Sequence, residues 1–220
     1  MDKKLRVCLI TEGTYPYVMG GVSAWTHMLI KYLKDIEFEI IAIVGKKGLK
    51  PKYKLPENVV NVTQIPIVEE EKFSQPLFLS KEKIKRFITY IKELHEAFAF
   101  NATSEAADAL LKIHNILSEN LVKFWATKEG WEYLSRRYKE RRADIPTVEW
   151  ILSWKDIHIP LLTIISNKLP KADVYHGTNS GFAGLLAILG GMCYNRPSLL
   201  TDHGIFLRAV SYTHLTLPTN

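Results

Sequence analysis

Three short strings in this 220-residue chain combine residue types that can hold an anion or move a proton. The first is Glu12-Gly13-Thr14-Tyr15-Pro16-Tyr17-Val18-Met19-Gly20-Gly21-Val22-Ser23, which follows a branched apolar run and leads into a helical stripe. Adjacent glycines let a ligand approach the backbone, and amides at a helix start present positive charge to a phosphate. Gly20, Gly21 and Val22 are therefore candidate phosphate contacts. A tight turn chosen for its backbone geometry would use the same two glycines. No lysine follows them as in a Walker loop, and the spacing is not the compact G-x-G-x-x-G of dinucleotide sites.

The other two strings are Ala172-Asp173-Val174-Tyr175-His176-Gly177 and Leu199-Leu200-Thr201-Asp202-His203-Gly204-Ile205. Each sets a histidine at the end of an apolar run, where an imidazole can hydrogen-bond a ligand or stabilise developing charge. His176 is open to a second reading, a hydrogen bond to a neighbouring loop. Glu12, Tyr15, Tyr17 and Ser180 add a carboxylate, two aromatic rings that could stack on a ligand and a hydroxyl, although Tyr-Pro-Tyr also suits a rigid turn. No Asp-x-Asp pair is present to hold a metal, so none is expected. The two cysteines, Cys8 and Cys193, form neither a disulfide framework nor a metal-ligand spacing, which points to the reducing cytoplasm.

Period and punctuation supply the elements that must position these groups. Leu5 to Ile10 reads as a buried strand and Val22 to Leu33 as a helix, with Val22, Trp25, Leu29 and Leu33 on one stripe. Phe38 to Val44 and Val59 to Ile67 read as strands. From Ser80 to about Arg142 the period becomes helical, an insertion, and Val148 to Leu169 is a further helix expected to pack on the sheet. A strand over 172–177, a helix over Gly181 to Leu189 and a strand over Ser198 to Thr201 complete the pattern. The fold class is α/β: Rossmann-like, a mostly parallel sheet with helices on both faces and a helical insertion at about 80–142. In such sheets ligands gather at the carboxyl ends of the strands, where all three strings fall.

Lysine and arginine number 29 against 23 acidic residues, a formal charge of +6 spread through helical stretches. That excess suits nucleotide phosphates, an acidic membrane surface or simply a solvated face, and it forms no basic block of the kind a nucleic-acid partner would need. The first residues do not read as a signal peptide, and no stretch reaches the roughly 18 to 20 apolar residues of a membrane span. Residues 1–210 are taken as one domain with its insertion. Ser211 to Asn220 continues no pattern and is set aside as a non-native tail.

Glu12 through Trp25 resembles the amino-terminal loop of glycosyltransferase family 4, most closely its PelF-like exopolysaccharide group, whose pattern runs strand, acidic-Gly-Thr, Tyr-Pro-Tyr, Gly-Gly-Val-Ser-x-Trp. The 172–176 string, Gly181-Phe182-Ala183-Gly184-Leu185-Leu186 and the 199–205 string resemble its later signatures, and Trp125, Lys128, Glu129 and Trp131 fall in a similarly placed insertion. The resemblance covers most of residues 5 to 208. Asp202 stands where the group has glutamate, and Gly177-Thr178-Asn179-Ser180 is a variant of a loop that differs within the family.

The resemblance implies the amino-terminal half of a GT-B fold, with the carboxyl-terminal donor-binding domain missing after residue 210. It implies a retaining, metal-independent hexosyltransferase that uses a UDP-sugar as donor substrate and needs no cofactor. It places His203 at the reacting centre as the catalytic residue, Gly20, Gly21 and Val22 on the donor diphosphate, and Glu12, Tyr15, Tyr17, His176 and Ser180 on the acceptor side. The implied partners are the nucleotide sugar, a growing glycan acceptor and inner-membrane polysaccharide synthesis proteins, with a cytoplasmic location at that membrane. The chain alone is expected to be inactive, since the resemblance assigns most of the donor grip to the other domain. Two other classes fit parts of the pattern: a non-catalytic sugar-binding or scaffold domain, and a Rossmann-type oxidoreductase. The latter is disfavoured because Gly45-Lys46-Lys47 ends the second strand in place of a ribose-binding acid.

Overall fold

The computed structural model describes residues 4–67, 80–117, 119–141 and 144–203. Its elements in chain order are β1 (Leu5–Glu12), α1 (Gly21–Tyr32), β2 (Ile36–Val44), β3 (Val59–Pro66), α2 (Lys81–Ala99), α3 (Thr103–Ile116), α4 (Glu119–Val122), α5 (Lys128–Arg141), α6 (Thr147–Ile165), β4 (Val174–Gly177), α7 (Phe182–Tyr194) and β5 (Ser198–Leu200). A single 3-10 turn, Phe124–Ala126, precedes α5. The elements group into two compact units, Met1–Ile65 with Pro170–Asn220, and Pro66–Leu169. The tail set aside at 211–220 lies outside the described residues.

In the first unit five parallel strands form one sheet in the order β3-β2-β1-β4-β5. β1 pairs with β2 on one side and β4 on the other, and β5 extends the sheet beyond β4. The order reverses between β1 and β4, so their carboxyl ends flank a topological switch point. Branched residues without polar alternation make β1 and β2 central strands, and Val7 to Thr11 and Ile40 to Val44 are buried throughout. The crossover from β2 to β3 is the irregular segment 45–58 rather than a helix, because Pro51 and Pro56 each remove an amide and crowd a helical turn.

Strand alternation assigns the two faces. Val7 pairs with Phe38 and Leu9 with Ile40, and this face is covered by Ile30 of α1, Tyr15, and the half-buried Tyr53 and Leu55. Cys8 pairs with Tyr175 on the opposite face, where α7 packs so closely that a Cβ on Gly190 would overlap the Tyr175 ring. A Cβ on Gly184 would come within 2.8 Å of the Asn179 carbonyl oxygen. These glycines are dictated by helix–sheet packing.

The second unit is helical. α2 buries Ile84, Phe87, Ile88, Ile91 and Leu94, the stripe expected from the sequence. Phe124 is its aromatic centre, with ring centroids 4.9 Å from Phe87, 5.8 Å from Trp154 and 6.5 Å from Tyr133. The unit runs past the expected insertion boundary near 142 and takes in α6. Within this unit α6 packs on α4 and α5. An apolar stripe says that a face is buried but not against which neighbour. The Nε2 atoms of His95 and His158 lie 2.9 Å apart, and His158 stacks on Trp154 at 4.0 Å between ring centroids. His158 Nδ1 lies 2.8 Å from the Trp154 carbonyl, which can only accept, so that nitrogen carries the hydrogen. In the neutral pair His95 therefore donates and His158 accepts.

Candidate functional site

The site is built at the carboxyl ends of β1, β4 and β5 and the start of α1. The loop after β1 is held from inside. The Thr11 hydroxyl donates to the Tyr15 carbonyl at 2.6 Å, the amides of Tyr17 and Val18 close turns onto the Thr14 carbonyl, and Lys52 donates its amide to Pro16. Gly13, at φ 61°, occupies the left-handed region that favours glycine.

Tyr15 and Tyr17, expected to offer rings to a sugar, have those rings in the core. Tyr15 is fully buried in the cluster with Val7, Leu9 and Phe38, and Tyr17 packs with Ala42 and Val44. The Tyr15 hydroxyl lies 3.2 Å from His27 Nδ1, its ring leans on Tyr53, and burial pushes its phenol up to about 12. Both tyrosines therefore anchor the loop from below.

At the head of α1 the glycine doublet is exposed. Gly20 has φ 169°, an extended backbone open to any residue, and Gly21 is already helical. A Cβ on either would meet nothing within 4 Å. Among the described residues neither backbone strain nor packing calls for glycine here, in contrast to Gly184 and Gly190. No side chain among the described residues caps the helix, and its first turn carries no acidic residue. The amides of Gly21, Val22 and Ser23 consequently have no intrahelical acceptor and carry the positive end of the helix dipole.

The other helix start at this edge, that of α7, is served from within. A Glu12 carboxylate oxygen accepts from the Ala183 amide at 3.3 Å, and a Cβ on Gly181 would approach the same oxygen to 2.7 Å. Glu12 thus completes α7 electrostatically. Ser180 is exposed in the turn leading into α7, beside the bond from the Gly181 amide to the Asn179 side chain.

His176 is buried, its Nε2 2.8 Å from the Thr201 hydroxyl. Burial, and secondarily the charge of His203, hold its pKa below the ordinary histidine value, so it is neutral at neutral pH. His203 is exposed two residues beyond Thr201. Between them stands Trp25 of α1, edge-on to His203 at 4.6 Å and to His176 at 6.2 Å between ring centroids. Trp25 is four residues past Gly21, about 6 Å along the helix axis. The glycine doublet and His203, distant in sequence, therefore share one rim.

The sequence reading placed Trp25 on the apolar stripe of α1 and gave it no part in the site. Its place in the Gly-Gly-Val-Ser-x-Trp string, a little over one turn from the doublet, is the signal that could have found it. Among the described residues no three His, Cys, Asp or Glu side chains gather as a metal-binding group, and no helix is long and apolar enough to cross a membrane.

No curated protein and no solved structure gives a match to this chain. The sequence profile of one family, described as a domain of unknown function (DUF3492), matches residues 5–214. That match spans almost all of the sequence, and the chain belongs to the DUF3492 family.

Proposed function

We propose that this chain is the acceptor-side domain of a retaining, metal-independent glycosyltransferase that moves a hexosyl unit from a uridine-diphosphate sugar to a growing exopolysaccharide. The observation that carries the reading is the meeting of an uncapped, sterically open helix start with His203 across Trp25. A glycosyl transfer of this kind develops negative charge on a leaving diphosphate and positive charge near the anomeric carbon. Amides at a helix start are suited to the first, and an imidazole within reach of the sugar to the second. The resemblance to glycosyltransferase family 4 supplies the substrate class and assigns the main grip on the nucleotide to a second domain.

In this reading Gly20, Gly21 and Val22 receive the diphosphate and His203 contacts the hexose. His176, held by Thr201, fixes the strand end beside it. Glu12, engaged with α7, shapes the acceptor wall with Ser180, while Tyr15 and Tyr17 support the loop from the core.

The test is His203→Ala in the complete transferase that carries this domain. His203 is exposed, so the fold is kept, and release of uridine diphosphate should fall about 10²- to 10³-fold, the scale of losing one charge-stabilising group. Turnover at the parental rate would remove His203 from the reacting centre.

A further inference from the structure

His203 is asked to meet the hexose from beyond the end of a strand, where an exposed imidazole has several orientations open to it. β5 ends at Leu200. Thr201 is still tied to the sheet, its amide donating to the Gly177 carbonyl at 3.0 Å and its hydroxyl meeting His176 Nε2 at 2.8 Å. Those bonds fix the backbone and leave the His203 ring, two residues on, to be placed by something else. Among the described residues that ring meets Trp25, with centroids 4.6 Å apart and planes at 71°.

Trp25 is suited to that task. It is half-buried on α1, a helix seated by the buried Ser23, Thr26 and Ile30, and the buried His176 ring stands perpendicular to it at 6.2 Å. An indole turns about only two torsions, so a seated one is a stiff stop. The same helix carries at its start the amides without an intrahelical acceptor, with Gly21 about 6 Å from Trp25 along the axis. One rigid element therefore holds both the groups proposed to receive the diphosphate and the group that stops the imidazole. We propose that Trp25 is a positioning residue: it holds the His203 imidazole at a set distance from the amides at the start of α1. The inference rests on the glycosyltransferase reading, in which both act in one transfer step. The other use of a rim indole is to bear a sugar on its face, and kinetics separate the two, since losing a platform raises KM and losing a stop lowers kcat.

The test has two parts. In the chain itself, through-space NMR cross-peaks should connect the ring protons of Trp25 and His203, and their absence would overturn the proposal. In the complete transferase, Trp25→Leu should lower kcat about 10- to 10²-fold, the scale of a displacement approaching 1 Å, and change KM for the nucleotide sugar by less than about two-fold. Trp25→Phe, which keeps an aromatic ring, should recover most of the rate. Added to His203→Ala, Trp25→Leu should cost less than about two-fold more, because the group it places is gone. Circular dichroism checks folding, and if Trp25→Leu is unfolded the space-filling Trp25→Met takes its place. Parental turnover in Trp25→Leu, a raised KM at unchanged kcat, no recovery in Trp25→Phe, or an undiminished cost on the His203→Ala background would each overturn the positioning role and leave the transferase reading standing. Parental turnover in His203→Ala would sink that reading, and the positioning role with it.

Discussion

Replacing Gly21 by alanine separates a glycine needed by the fold from one needed by a ligand. The added methyl meets no atom within 4 Å, and the residue already has helical backbone angles as the first residue of α1. The fold should therefore gain. Alanine narrows the unfolded ensemble and favours the helix, a stabilisation of about 0.4–1 kcal/mol where the backbone is compatible. For a chain of this length that is a rise of about 1–4 °C in melting temperature. Function should move the other way. The methyl projects where an anion would approach the amides of Gly21 and Val22, and a displacement of about 1 Å at a reacting centre costs on the order of 10²-fold in rate. Two assays are paired: thermal melting of the chain, and amide chemical-shift titration with uridine diphosphate, which should move the signals of Gly21, Val22 and Ser23 in the parent and not in the variant. A lowered melting temperature would mean the fold itself requires the glycine. Absence of perturbation at the three amides in the parent would mean that no phosphate is bound there, and equal perturbation in the variant would mean that binding does not need the glycine.

Gly190→Ala should do the opposite and destabilise by about 1–3 kcal/mol, since overpacking outweighs the helix gain. The Tyr175 ring it would strike is pinned by its hydroxyl to the Pro170 carbonyl at 2.6 Å, and urea unfolding reads the loss. His158 is kept below its ordinary pKa by burial, so the unfolded chain takes the proton first as pH falls. The stability it leaves intact above the ordinary value of about 6.5 is lost progressively below it, down to the lowered folded pKa. Melting temperatures between about pH 7.5 and 5 should fall with acid, and less so in His158→Gln; an identical acid slope in that variant would refute the assignment. Burial pushes the Cys8 thiol up and leaves it no exposed surface, while Cys193 is partly exposed. A thiol reagent should label Cys193 in the native chain and Cys8 only through unfolding, and early labelling of Cys8 would contradict the central placement of β1.

The sheet was legible because its strands are buried on both faces. Runs such as Val7 to Ile10 and Ile40 to Val44 have no polar alternation, and only a parallel sheet covered on both sides accommodates them. The site residues were legible as positions more than as roles. A tyrosine in a Tyr-Pro-Tyr string reads the same whether its ring faces a ligand or the core, and Tyr15 is decided by Tyr53 and His27, which come from a later loop and the next helix. Glu12 read as a cleft carboxylate, and its engagement with the Ala183 amide depends on how α7 returns to the sheet 171 residues later. Trp25 was hidden because helical spacing gives the direction of an apolar side chain but not the identity of what it meets.

Glycine usage at the rim gives the separation a physical footing. Gly13 is set by a left-handed backbone, and Gly184 and Gly190 by the close seating of α7. Each has a cause within the chain. Among the described residues Gly20 and Gly21 meet no such constraint, and they open the uncapped helix start beside Trp25 and His203. Gly21 lowers helix stability where the described residues leave the room empty, and that fits the proposed reading in which a ligand uses the room. The amides it would meet favour an anion. That contrast, rather than the presence of glycines in the loop, supports the proposal of a phosphate-bearing substrate at this rim.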